Sequence, residues 1–359
     1  MENFKILVIN PGSTSTKIAV YENENELLRH NIDHPLDSLE KYETIMDQYE
    51  MRKESIVSYL EEAGVDIKTL KAVVGRGGIL PPVHSGAYKV NTSMIERLRH
   101  KPIAEHASNL GAAIANEIAK SVGVEAYIYD PVTVDELSEH ARLSGMPELN
   151  RQSLSHALNM RAAAMKVCDK DGVDYHQTNL IVAHLGGGIS LSMHSGGRMI
   201  DIVSDDEGPF SPERAGRVQC RQLIELCYSG QFDRKTMVKK QRGKGGLLAH
   251  LGTVDAREVE ARIDNGDKHA ETVYYAMATQ IAKSIGELAT VVDGEVYKIV
   301  ITGGMAYSKR LTEWISKKVK FIAPIELLPG ENELQSLALG VLRVLRQEEE
   351  AFVYEDAEF

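Results

Sequence analysis

The stretch Leu7-Val8-Ile9-Asn10-Pro11-Gly12-Ser13-Thr14-Ser15 can be laid without a gap on Ile181-Val182-Ala183-His184-Leu185-Gly186-Gly187-Gly188-Ile189. Both read as an apolar strand, a polar residue, a glycine-containing turn and the start of a second strand. A single strand–turn–strand match carries little, because the unit is common. These two copies fall at equivalent places in two halves of similar length, which points to a duplicated chain. Elsewhere short apolar runs alternate with helical stretches, the pattern of an α/β protein. Candidate strands are 5–10, 17–21, 72–74, 125–129, 180–183, 190–194 and 298–302, and candidate helices 38–63, 103–122, 159–169, 270–292 and 333–346. The repeat sets a boundary near Asn150, with domains of 1–152 plus about 336–359, and of 153–335. A cleft between two such halves is a natural ligand site.

The formal net charge of −11 over 359 residues disfavours a nucleic-acid partner, which would call for a basic face. An acidic chain acting on anions has to hold them with local arginines, lysines and backbone N–H groups, not with its overall field. The hydrophobic share of 43% and charged share of 26% are those of an ordinary soluble protein. No apolar stretch approaches the ~20 residues of a membrane span, and the opening Met1-Glu2-Asn3-Phe4-Lys5 does not read as a signal peptide. Cys168, Cys220 and Cys227 form no CxxC pair, and no His/Cys cluster has zinc spacing; both fit a cytoplasmic protein without a permanent transition metal. The acidic end, 348–359, reads as a solvated tail or a capping segment.

The turn Asn10-Pro11-Gly12-Ser13-Thr14-Ser15-Thr16-Lys17 joins two candidate strands. Gly12 and the small hydroxyl residues Ser13 and Ser15 let backbone N–H groups face an oxyanion, and Lys17 adds charge. The second turn, His184-Leu185-Gly186-Gly187-Gly188-Ile189-Ser190, lacks side chains over three residues, so a phosphate can approach very closely. One glycine-rich hairpin is ordinarily no more than a tight turn; two in register point to a nucleotide clamp. Neither fits GxxxxGK[ST], nor GxGxxG opening a helix. A third turn, Ile301-Thr302-Gly303-Gly304-Met305-Ala306, suits contact with an adenosine or forms a plain strand-to-helix connection.

These motifs resemble those of the acetokinase family, within the superfamily of actin, sugar kinases and chaperone ATPases. The first turn is similar to that family's NxGSSSxK signature, residues 184–190 to its second phosphate loop, and Thr302-Gly303-Gly304-Met305-Ala306 to its adenosine loop. Val74-Gly75-Arg76-Gly77-Gly78, Tyr129-Asp130-Pro131, Ser153-Leu154-Ser155-His156 and Pro329-Gly330-Glu331-Asn332-Glu333-Leu334 match in order along nearly the whole chain. The resemblance implies an α/β fold of two duplicated ribonuclease-H-like (actin-like ATPase) domains with an interdomain active-site cleft. The first is an acetokinase-type domain and the second binds the nucleotide. It also implies a homo-oligomer with small-molecule substrates: a kinase that moves the γ-phosphoryl group of ATP, with Mg²⁺, onto a short fatty acid and leaves ADP. The triple glycine and the chain length sort with members acting on butyrate; acetate-directed members carry HLGNGSS and run longer. Acetate or propionate is the alternative acceptor, and an actin- or chaperone-like conformational ATPase the alternative of another class.

By the same resemblance Arg76 binds the carboxylate beside the transferring phosphoryl group, and Asp130 positions Mg²⁺ and the reactants. Asn10 and Glu333 share the metal, with Glu331 competing for the place of Glu333. One arginine of Ser211-Pro212-Glu213-Arg214-Ala215-Gly216-Arg217 is essential; Arg217 is the better match and Arg214 the reserve. His106 belongs near the acyl group, and either His156 or Gln152 near the phosphoryl group. The nucleotide is expected on Asn10, Gly12, Ser13, Ser15, Lys17, His184, Gly186, Gly187, Gly188, Gly303 and Gly304. A fatty carboxylate, with a pKa of roughly 4 to 5, is already ionised at neutral pH, so no general base is needed. The difficulty is electrostatic, a carboxylate approaching a polyanion. Direct in-line transfer between the halves, with closure to exclude water, is the simplest scheme. Gly75, Gly77 and Gly78 around Arg76 read as bulk removed from the acyl-pocket wall, leaving room for extra methylenes.

Overall fold

The computed structural model describes residues 2–356. The chain divides into two compact units, Met1–Asp135 with Asn332–Phe359, and Glu136–Glu331. The repeat alone assigns 136–152 to the first domain and 332–335 to the second; in the structure both stretches group the other way. Among the described residues no helix is long and apolar enough to cross a membrane.

The first unit is built on β1 (Lys5–Pro11), β2 (Ser15–Glu22), β3 (Asn25–Asp33), β4 (Ala72–Arg76), β5 (Ala87–Lys89), β6 (Glu125–Tyr129) and the edge pair Phe352–Val353. Their order is edge pair-β5-β6-β4-β1-β2-β3. β1, β4 and β6 run parallel, whereas β2 returns antiparallel to β1 and β3 to β2. Ile6, Leu7, Val8 and Ile9 are fully buried. A central strand covered on both faces needs a continuous apolar run rather than an alternating one. Leu7 and Ile9 pack with Ile56 and Leu60 of the helix Tyr49–Glu62 and with Leu110 and Ile114 of the helix Asn109–Val122. The helix Glu333–Leu345 also packs on β1, β4 and β6.

Two expected helices are shorter than their apolar spacing implies. The stretch 38–63 is broken into Leu36–Leu39, a turn, Met46–Gln48 and Tyr49–Glu62. Asp47 Oδ2 accepts from the Thr44 N–H at 2.8 Å while Thr44 Oγ1 accepts from the Asp47 N–H at 3.4 Å, a reciprocal cap that starts the helix afresh. The helix expected from residue 103 begins at Asn109, after a turn in which the His106 ring accepts from the Ser108 N–H at 3.2 Å. Of the acidic end 348–359, the described residues to 356 cap the sheet: Phe352–Val353 pairs with β5, and Tyr354 is buried; 357–359 lie outside the described residues.

The second unit carries β7 (Leu180–Leu185), β8 (Ile189–Ser195), β9 (Arg198–Val203), β10 (Lys298–Gly303) and β11 (Ile325–Pro329), ordered β11-β10-β7-β8-β9. Ile181, Ala183 and Leu185 of β7 join the core formed with the helices Lys268–Ala289 and Lys309–Val319. Leu180 and Val182 face Met160, Ala164 and Val167 of the helix Ala157–Asp171. Reading β3-β2-β1-β4-β6 against β9-β8-β7-β10-β11 gives the same order and the same strand directions, so the duplication holds in topology. It does not hold residue for residue through the turn. Asn10 pairs with Lys17 but His184 with Ser190, so the first turn holds one residue more and the gap-free match ends there.

Two buried histidines give the fold a pH dependence. His194 is held between Tyr175 Oη, 2.9 Å from its Nδ1, and Ser192 Oγ, 2.7 Å from its Nε2; burial pushes its pKa down to about 3. Burial, and then the Arg52 cation, lower that of His34 to about 4. An unfolded histidine titrates near 6.5, so between about pH 6.5 and these values the unfolded chain binds protons that the folded chain refuses. Stability is therefore full above that window and falls with pH inside it, by up to about 1.4 kcal/mol per pH unit for each ring. Urea unfolding at pH 7, 6 and 5 should show a progressive loss; a flat profile would contradict it.

Candidate active site

Asn10, Arg76 and Asp130 stand at or just beyond the carboxyl ends of the neighbouring parallel strands β1, β4 and β6, the edge where α/β sheets bind ligands. Glu333 joins them from the start of its helix. Its Oε2 accepts from Asn10 Nδ2 at 2.6 Å, and its Oε1 lies 3.8 Å from Arg76 Nε. Arg76, buried to 7% exposure, donates from Nη1 to the Asp130 carbonyl at 3.1 Å. Asp130 has φ of 39°, a left-handed conformation unusual for a non-glycine residue, and its Oδ1 accepts from the Gly86 N–H at 2.6 Å. Lys17 pairs with Asn10 across the β1–β2 ladder and is exposed. Asn10, Asp130 and Glu333 bring side-chain oxygens, the hard donors that Mg²⁺ prefers, and two carboxylates suffice where phosphates and water complete the shell. The donor set thus fits the expected metal.

The glycines after Arg76 are not open space. A Cβ on Gly77 would lie 2.6 Å from Pro131 Cβ, and one on Gly78 would lie 2.7 Å from both Asn109 Oδ1 and Leu98 Cδ2. A Cβ on Gly75 would run into the Gly111 carbonyl. All three glycines allow protein to pack against protein, which corrects the expectation that they enlarge an acyl pocket.

In the second unit the β7–β8 turn and the β10 terminus line one cavity of about 590 Å³, with Gly186, Gly187, Gly304, Met305, Tyr307 and Glu331 among its walls. Gly303, at φ 92°, backs onto the Leu185 carbonyl, where a side chain would collide. Gly304 has nothing within 4 Å of where its Cβ would stand. Within the turn Gly186 N–H donates to the Gly188 carbonyl at 3.0 Å, and the Gly187 carbonyl accepts from Ser211 Oγ at 2.6 Å. His184 Nε2 lies 3.1 Å from Glu331 Oε1, and its ring stacks on that of His156 at 4.1 Å. His184 Nδ1 is buried without a hydrogen bond among the described residues, while His156 Nδ1 is 2.8 Å from Ser190 Oγ.

The residues of each alternative lie in different surroundings. Glu333 sits with Asn10 and Arg76, whereas Glu331 sits with His184. His156 reaches the glycine turn through Ser190, and Gln152 is exposed. Arg214 lies against the turn: a Cβ on Gly188 would be 2.5 Å from its Nη1, and it pairs with Asp205. Arg217 is elsewhere, half exposed, with Nη2 2.9 Å from Glu287 Oε2 and Nε 2.6 Å from the Glu207 carbonyl. His106 is exposed, and its ring caps the turn before the helix Asn109–Val122. Sequence reasoning missed Arg52, which is buried beneath the first turn; the signal was an arginine in the apolar stripe of Ile56 and Leu60.

Two sheets of one topology, each carrying a turn suited to phosphate, define an actin-like ATPase fold. Acetate kinase of Porphyromonas gingivalis has this fold with a TM-score of 0.80 at 20% identity, covering 95% of this chain and 100% of that one. Acetate kinase of Entamoeba histolytica gives 0.77 at 17% identity, covering 97% and 99%. Residues 155–334 match the model of the acetokinase family. Butyrate kinase 2 of Clostridium acetobutylicum is 49% identical over 353 residues, 98% of this chain and 99% of that protein. The chain belongs to the acetokinase family.

The packing of Gly77 gives a direct expectation. Gly77→Val should destabilise the fold by about 1–3 kcal/mol through overpacking on Pro131, without a shift toward shorter acids. Urea unfolding and a chain-length panel check it together. Unchanged stability with a new acid preference would restore the open-pocket reading.

Proposed function

We propose that the chain is a butyrate kinase, transferring the γ-phosphoryl group of ATP reversibly to butyrate or a close short or branched homologue. The observation that carries the acceptor is the 49% identity to Butyrate kinase 2 along 98% of the chain. The enzyme is a phosphotransferase with a carboxyl group as acceptor, and it uses ATP and ADP. Its nucleotide lies in the second unit's cavity, with the phosphates on Gly186 and Gly187 and the adenosine by Gly304, Met305 and Tyr307; the absence of bulk at these glycines supports this.

The acceptor carboxylate is ionised at neutral pH and attacks without a general base. What the protein supplies is charge neutralisation at fixed positions. Arg76 binds the carboxylate; its own orientation is kept by Glu333 and the Asp130 carbonyl. Asn10, Asp130 and Glu333 would hold Mg²⁺, which when bound would offset charge on the phosphate oxygens. Lys17 and the N–H groups of the first turn take the remaining phosphate charge. Arg214, rather than Arg217, serves the glycine turn, supported by its contact with Gly188. His156 and His184 set the side of that turn.

Arg76→Ala and Arg214→Ala should each lower kcat by about 10² or more with modest change in the KM for ATP, whereas Arg217→Ala should stay within about threefold of the parent. Steady-state kinetics on folded variants decides, and an Arg217→Ala loss as large as that of Arg214→Ala would reverse the assignment. Over straight and branched C2 to C6 acids, butyrate, isobutyrate or valerate should lead propionate, and acetate should come last. Each buried methylene is worth ~0.8 kcal/mol, so acetate should trail butyrate roughly tenfold to twentyfold in kcat/KM. Equal turnover of acetate would replace the acceptor and leave the kinase standing.

A further inference from the structure

We infer that Arg52 is the positioning residue of the first glycine turn, a buried cation whose counter-charge is the phosphate which that turn binds. The inference rests on the kinase reading for the phosphate and on the first unit alone for its geometry. Arg52 has no exposed surface. Its Nη1 donates to the Gly12 carbonyl at 2.8 Å, the Ser15 carbonyl at 3.0 Å and Thr16 Oγ1 at 3.1 Å. Its Nη2 donates to the Ser13 carbonyl at 2.9 Å and to Gln48 Oε1 at 2.8 Å, and its Nε to the same Gln48 oxygen at 3.1 Å. Every one of these acceptors is neutral. Buried charges are ordinarily paired, and this chain has an excess of carboxylates, with a net charge of −11. Arg52 nevertheless forms no salt bridge among the described residues.

The geometry explains what the unpaired charge does. In a trans peptide the C=O and N–H point in opposite directions. The carbonyls of Gly12 and Ser13 turn inward to Arg52, so the N–H groups of Ser13 and Thr14 turn outward. Both residues are exposed, and neither N–H makes a hydrogen bond among the described residues. Successive outward N–H groups form an anion-binding concavity. Thr16 Oγ1 passes the arrangement on to His34 Nε2, 2.9 Å away, whose ring stays neutral beside the guanidinium. Arg52 thus orients the dipoles and places a full positive charge behind them without touching the ligand.

The test compares the parent chain with Arg52→Met and Arg52→Lys, using thermal unfolding with and without MgATP or inorganic phosphate, and kinetics well below each Tm. Arg52→Met should lower kcat/KM for ATP by about 10²-fold and lose most of the ligand-induced rise in Tm. Arg52→Lys keeps the charge with fewer donors and should recover about tenfold of that loss. If Arg52→Met does not fold, Arg52→Lys carries the test alone, with a loss of about tenfold and a reduced ligand-induced rise. A lower Tm with the ligand-induced rise and kcat/KM both unchanged means a merely structural arginine and overturns the inference. A parent that gains Tm with MgATP but does not phosphorylate butyrate removes the acceptor reading. The inference would then stand on the loss of that gain in the variants.

Discussion

The helix Asn109–Val122 lies directly on β4, backbone against backbone, because Gly75 and Gly111 face one another with no side chain between them. Much of the first unit's chemistry depends on that approach. It fixes the strand end from which Arg76 projects. The segment beyond is seated by the helix start, where Asn109 accepts from the Ile79 N–H at 2.8 Å and donates to the Ala104 carbonyl at 2.9 Å. Arg76 can then reach the Asp130 carbonyl, while the Gly86 N–H bonds the carboxylate of Asp130, whose backbone lies in a sparsely populated conformation. Positions of this kind are held by surrounding packing, which explains why so many glycines cluster around one arginine.

The hairpins that carry the two turns were legible because both signals coincide there: apolar runs for strands buried on both faces, and glycines for the reversals. β3 was not, since Asn25–Asp33 is a polar, largely exposed edge with no apolar run to reveal it. β5 and the pair Phe352–Val353 are too short to show a period. The break before Tyr49–Glu62 lay hidden because its cap, Thr44 with Asp47, sits within a polar stretch that reads equally well as helix surface. Glycine was the most ambiguous letter. At Gly304 it means space and at Gly77 it means contact, and only the neighbours decide. Arg214 and Arg217 show the same limit: the resemblance favoured Arg217, while the contact with Gly188, which is tertiary, is made by Arg214.

Glu331 and Glu333 illustrate how the fold distributes charge. Two residues apart, they serve different partners, one the buried His184 and the other Asn10 with Arg76. The change of unit falls between them. An acidic chain places its cations sparingly and individually: Arg76 is shared by Glu333 and a carbonyl, Arg214 is paired with Asp205, and Arg52 is bound to neutral oxygens alone.

The second unit interrupts the first, and this sets an order of events on the ribosome. When residue 135 has been made, the sheet of the first unit still lacks the helix Glu333–Leu345 that packs on β1, β4 and β6. It also lacks Glu349, which accepts from Tyr129 Oη at 2.8 Å, and the edge pair beside β5. The whole of the second unit is synthesised before any of these arrive, and as a contiguous segment it is free to fold first. The apolar strands β1, β4 and β6 thus remain partly uncovered while the second unit is made. Glu333, which Asn10 meets, is made only after the whole of the second unit.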